Sequence, residues 1–140
     1  MDQETYLNER LDDQLTWFDK NSQWNQKWFK HLQVAQLVSA ALIPFVSGFM
    51  DAGLVIKIVV GLLGVIVASI TGIITLYKFH DNWVAYRSTC EALRVEKILF
   101  LTKSAPYNKD EPFTLLVERV EAILLRENAN WQDYIKTNTK

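Results

Sequence analysis

Residues Ile58 to Tyr77, IVVGLLGVIVASITGIITLY, form a run of 20 without a charge. As a helix rising about 1.5 Å per residue, such a run spans about 30 Å, the hydrocarbon thickness of a bilayer. Lys57 bounds one end and Lys78 the other. A buried helix in a soluble domain is usually shorter, and a chain of 140 residues has little room for a helix apolar on every side. The run is therefore expected to cross a membrane. Upstream, Leu32 to Met50 is a second stretch of 19 residues whose only polar side chains are Gln33, Gln36, Ser39 and Ser47. It is also long enough to cross. It begins behind a long polar segment with no compact cleavage pattern after it, so a signal peptide is not expected.

GFMDAG at 48–53 reads as the turn between the two, with Gly48 and Gly53 permitting a tight reversal and Asp51 kept in the headgroup region. The crossings then form an antiparallel hairpin with both termini on one side. Lys20, Lys27, Lys30, Lys78 and Arg87 flank the crossings on that side, against Lys57 alone at the turn. The positive-inside rule places both termini in the cytoplasm. Pro44 predicts a kink in the first crossing.

The flanks are polar and patterned. Residues 4–30 read as an amphipathic helix with Leu7, Leu11, Leu15, Phe18, Ser22, Asn25 and Phe29 near one face. The first crossing is placed at 31–50, and the second at 54–79, continuing as helix to about 104 because no Gly or Pro interrupts 77–104. Trp83, Tyr86, Cys90, Leu93, Lys97 and Phe100 share a side of that continuation. Pro106 is expected to end it. A last amphipathic helix is placed at 112–136, its stripe running from Phe113 through Leu116, Val120 and Leu124 to Trp131, with Glu127 interposed. The fold class is thus an all-α membrane protein: a two-crossing antiparallel hairpin with long amphipathic cytoplasmic helices, one domain over 1–140, assembled as an oligomer that covers the remaining apolar faces.

Composition narrows the chemistry. A net charge of −1 gives no basic footprint for nucleic acid, and one cysteine, Cys90, allows no intrachain disulfide. There is no P-loop, no dinucleotide fingerprint and no HExxH. His31 and His80 lie at the same end of the hairpin without a supporting ligand cluster, so neither a metal nor a cofactor is expected, and the chain does not read as an enzyme. The candidate pore-lining or helix-packing residues are Gln36, Ser39, Pro44, Gly64, Ala68, Ser69, Gly72 and Thr75. Gly64, Ala68 and Gly72 recur every four residues, the spacing that lets helix backbones approach closely in lipid. Their nearest candidate partner is the first crossing with Ala40, Ala41 and Ser47; a second subunit is the other. Arg87, Glu91, Arg94 and Glu127 are the candidate cytoplasmic network, with Glu127 expected to pair with Arg87 or Arg94 because it falls in an apolar stripe.

The chain resembles the bacterial SLATT family of two-transmembrane domains. The likeness is carried by WNQKWFKHLQ before the first crossing, the hairpin, WVAYRSTCEALRVEKILFLTKSAPY at 83–107 and FTLLVERVEAILLRENANWQDY at 113–134. Within these, Trp83, Arg87, Glu91, Leu93, Glu96, Tyr107, Glu118, Arg119, Glu121, Glu127 and Trp131 mark the pattern. The resemblance implies a membrane effector of bacterial conflict systems, in which a nucleotide-sensing partner triggers pore formation or membrane disruption. No fused sensor is visible in the chain, which leaves a stand-alone role open. The function expected is an oligomeric inner-membrane pore passing ions and gated through its cytoplasmic helices. The alternative is a membrane-anchored helical module that recruits a cytoplasmic protein partner without conducting.

Overall fold

The computed structural model describes residues 1–48 and 53–138. The chain is helical almost throughout: α1 (Gln3–Thr5), a π-helical segment (Tyr6–Leu11), α2 (Asp12–Ser47), α3 (Leu54–Tyr77), α4 (Phe79–Leu101) and α5 (Pro112–Asn138). Most of the turn read at 48–53 lies outside the described residues. Gly53 is described and takes φ 110°, a backbone conformation open to glycine.

The residues group into two compact units. One holds Met1–Ser22 and Val84–Lys140; the other holds Gln23–Trp83.

The first unit is a three-helix bundle. Its buried apolar residues are Tyr6, Leu11, Phe18, Cys90, Leu93, Phe100, Tyr107, Leu116, Val120 and Leu124. Along each helix they recur at spacings of about one or two turns, which keeps them on one face. Helix α4 runs antiparallel to the N-terminal part of α2: the Leu15 carbonyl faces Cys90, and Trp17 faces Tyr86. It is antiparallel to α5 as well, pairing Glu96 with Arg119 and Thr89 with Glu127. Burial pushes the Cys90 thiol up, as for a small packing residue.

Two helix ends differ from expectation, both for backbone reasons. The helix read as continuous through residue 78 is interrupted there. Lys78 adopts the left-handed conformation (φ 45°, ψ 45°), its N–H donates to the Ile74 carbonyl, and the Asn82 side-chain amide donates to the Tyr77 carbonyl. Those bonds satisfy carbonyls that a helix terminus leaves open. Further on, α4 stops at Leu101, before Pro106 can act. Lys103 is left-handed (φ 51°), and the N–H groups of Lys103 and Ser104 return to Phe100 and Leu99. That is the hydrogen-bond pattern of a Schellman end, with lysine where glycine is usual. Pro112 then opens α5 at the first helical position, where its missing N–H costs nothing.

The second unit is an antiparallel helical hairpin. Trp24 meets Phe79 and Phe29 meets His80 at one end, and from Phe29–His80 to Gln36–Thr71 residue numbers rise along α2 as they fall along the partner helix. Two helices of the chain have the length and composition to span a membrane. Their most apolar stretches are not buried: Val34, Leu37, Val38, Leu42, Phe45, Ile58, Leu62, Val65, Ile66, Ile73 and Leu76 are all exposed. A core helix of a soluble domain would bury such residues.

Candidate functional site

On α3, the half-covered residues are Ile56, Val60, Leu63, Gly64, Val67, Ile70 and Ile74. On α2 they include Leu32, Gln36, Ser39, Ile43, Val46 and Ser47. These two stripes are the hairpin seam, and on α3 it is built largely from β-branched residues. Of the small-residue stripe, Gly64 sits half-covered at the edge of this seam, whereas Ala68 and Gly72 lie to one side of it and are exposed. A Cβ added at Gly61, Gly64 or Gly72 would meet nothing within 4 Å. The α2 arm of the hairpin therefore does not cover Ala68 and Gly72, and Ala40 and Ala41, offered as their small counterparts, are exposed themselves.

The polar groups of the hairpin are mostly engaged. The Gln36 amide donates to Thr71 Oγ1 at 2.8 Å, Thr71 donates to the Val67 carbonyl at 2.8 Å, and Thr75 donates to the Thr71 carbonyl at 2.8 Å. In an apolar medium, such bonds remove the cost of an unpaired polar group. Ser69 is exposed, and Pro44 is exposed in the last turn of α2, which continues past it to Ser47. His31 donates from Nδ1 to the Lys27 carbonyl at 2.7 Å, whereas His80 packs against Phe29 and Trp83. Among the described residues, no group of three or more His, Cys, Asp or Glu side chains is placed to hold a metal ion.

In the bundle, three members of the predicted network do come together. Glu91 takes Arg87 at 2.6 Å and Arg94 at 3.1 Å, and Arg87 reaches Asp19 at 3.7 Å. Glu127 does not join them. Its Oε2 accepts from the Thr89 hydroxyl at 3.0 Å instead. The helical register places Thr89, not Arg87 or Arg94, opposite it.

A buried ionic cluster around Glu96 was not assembled by sequence reasoning. Glu96 is 7% exposed. It accepts the Tyr107 hydroxyl on Oε2, and on Oε1 it accepts Nε and Nη2 of Arg119, at 3.1 and 2.8 Å. Burial and the bond to Glu96 hold the Tyr107 hydroxyl above its ordinary value, and the same carboxylate raises Arg119. A second cluster repeats the chemistry at the N-terminus. Tyr6 donates to Glu121 at 3.2 Å, and Arg10 clasps both oxygens of Glu121 at 3.2 and 3.1 Å. Lys97 and Asp12 make a third inter-helix pair. Each cluster ties together helices distant in sequence, so no local spacing could have revealed the pairing. The available signal was compositional: Glu96, Tyr107, Arg119 and Glu121 all belong to the motif residues of the resemblance.

A family model described as a protein of unknown function, DUF4231, matches residues 13–113. The chain belongs to this family. DUF4231 is classified within the SLATT superfamily of predicted bacterial membrane effector proteins, which agrees with the resemblance read from the residues. The DUF4231 match takes in nearly all of α2, all of α3 and α4, and the connection to α5. It includes Glu96 and Tyr107, whereas Arg119, Glu121 and Glu127 lie beyond it. No curated protein and no solved structure matches the chain significantly.

Proposed function

We propose that this protein is an oligomeric effector of the bacterial inner membrane. In this reading the hairpin crosses the bilayer, both termini are cytoplasmic, and copies meet along the flank of Gly61, Gly64, Ala68 and Gly72 to pass ions. One observation carries it: α3 presents a small-residue flank whose Gly61, Ala68 and Gly72 its own hairpin leaves exposed, with Gly64 half-covered at its edge. Lipid tails give little hydrophobic drive between helices, so close backbone approach is the main gain on offer there. Membership of a superfamily of predicted membrane effectors supports the same reading. The lysines and arginine flanking the crossings support the orientation. No catalytic step is part of the proposal.

A second reading, a membrane anchor that recruits a cytoplasmic protein, draws support from the hairpin's polar groups. Gln36, Thr71 and Thr75 are satisfied within it rather than offered to water. Conductance measurements on the full chain in planar bilayers separate the two. Discrete ion currents are expected for the pore and none for the anchor. Assembly is read independently from particle size in mild detergent. Ala68→Leu is expected to shift the protein toward smaller species, whereas Val67→Leu, a change within the seam, leaves the oligomer intact. Equal effects from both substitutions would mean that the flank is incidental.

A further inference from the structure

Within the three-helix bundle, Trp17, Phe18, Tyr86, Glu127, Asn128 and Trp131 line a cavity of about 310 Å³. Three helices contribute to it. Trp17 meets Phe18 edge-on, with ring centroids 5.0 Å apart, and meets Tyr86 at 5.6 Å and 75°. Two aromatic side chains here are exposed, Trp17 at 49% and Trp131 at 47%, and Tyr86 is half-buried. Rings that served only the core would be buried, as Phe18 is.

The single charged group in the lining is Glu127, and no basic side chain lines the cavity. Asp12, Asp19, Glu96 and Glu121 each bridge helices with a lysine or arginine. Glu127 also bridges helices, but through the neutral Thr89 hydroxyl. Among the described residues it has no cationic partner. A half-covered carboxylate beside three electron-rich rings forms a site whose missing component is a positive charge. Ring faces attract cations, and they do so best when the cation is weakly hydrated and easily stripped of water. Small inorganic ions hold their water too tightly for one carboxylate to replace.

We propose that this cavity binds a small organic cation with an alkylated ammonium head. The rings take the alkyl groups and Glu127 takes the charge. The head can arrive on a free molecule such as choline or as the headgroup of a lipid, and the chemistry recognised is the same.

The test titrates the full chain in a maltoside detergent and follows tryptophan fluorescence. The probes are tetramethylammonium, choline, glycerophosphocholine and 3,3-dimethylbutan-1-ol, the uncharged carbon analogue of choline. Choline and tetramethylammonium are expected to saturate at concentrations at least about 10-fold below any effect of the neutral analogue. Saturation by glycerophosphocholine as well supports the site with a headgroup as a source; its failure beside choline supports the site with a free cation as the source. Glu127→Gln and Trp131→Ala are each expected to weaken binding by about 10-fold or more, and Trp131→Phe to retain it within about 3-fold. Circular dichroism of each variant establishes that the bundle is intact, and ligand-dependent stabilisation against heat gives a second readout. Equal binding of the neutral analogue, indifference to Glu127→Gln in a folded variant, or no saturation by any cation up to about 100 mM overturns the proposal.

Discussion

Glu96→Ala is expected to destabilise the bundle by about 3–4 kcal/mol, a large part of the stability of a small helical unit. The cost has two sources. The Tyr107 side chain is almost fully buried, at 2% exposure, and its hydroxyl bonds to Glu96. Removing the acceptor leaves that hydroxyl without a partner, a desolvation penalty of about 1–3 kcal/mol. The lost side-chain packing adds about 1 kcal/mol or more. Arg119 adds less, because its side chain is 46% exposed and can return to water. Glu96→Gln should be milder, since an amide oxygen can still accept from Arg119. The decisive comparison is a second substitution. Adding Tyr107→Phe to Glu96→Ala removes the stranded hydroxyl and is expected to restore about 1 kcal/mol, whereas Tyr107→Phe alone destabilises. Denaturant midpoints followed by circular dichroism give all four values. If the double variant is no more stable than Glu96→Ala, the cluster does not hold the bundle in the way described.

This cluster also marks the boundary of what the sequence discloses. The hairpin was legible because charge is absent over Ile58–Tyr77, and exclusion of charge is a property of residues one by one. The bundle seam was legible as far as its spacing went: Leu11, Phe18, Leu93, Phe100, Leu116 and Val120 lie on the stripes drawn for them and are buried. Pairings between stripes were not legible. Which residue faces Glu127 depends on the axial register of α5 against α4, and the connection of residues 102–111 sets that register. Its geometry rests on left-handed backbone at Lys103 and Glu111, positions where no glycine announces it. The break at Lys78 was hidden in the same way. The direction of the Gly64–Ala68–Gly72 flank was open for a different reason. Small residues say that something approaches closely, not which helix does, and only the seam formed by Val60, Leu63, Val67 and Ile74 shows that the α2 arm of the hairpin leaves Ala68 and Gly72 exposed.

The second large effect is expected in alkali. Burial, together with the Glu121 carboxylate beside it, pushes the Tyr6 hydroxyl up to about 12, from an ordinary value of 10.0. Between those two values the unfolded chain has lost the tyrosine proton and the folded chain still holds it. The folded state then binds more protons, so stability must fall as pH rises. At about 1.4 kcal/mol per unit, the loss across the window is roughly 2–3 kcal/mol. Tyr107 is raised for the same reasons and adds to the decline. The acid limb has the opposite sign. Arg10 holds the Glu121 carboxyl below its ordinary value, so its contribution is present near neutrality and fades as pH falls below that value. Both partners are partly exposed, so the acid effect should be shallow. A comparison with Tyr6→Phe isolates the contribution of this one proton. That variant loses one hydrogen bond to a charged acceptor, about 1–2 kcal/mol near neutrality, but carries no phenol to ionise at this position. Its stability curve should therefore approach that of the native protein as pH rises from about 10 and meet or cross it by about 12. Parallel curves over the whole range would show that the Tyr6 proton does not report folding, and that the contact with Glu121 is not what holds the N-terminal segment to α5.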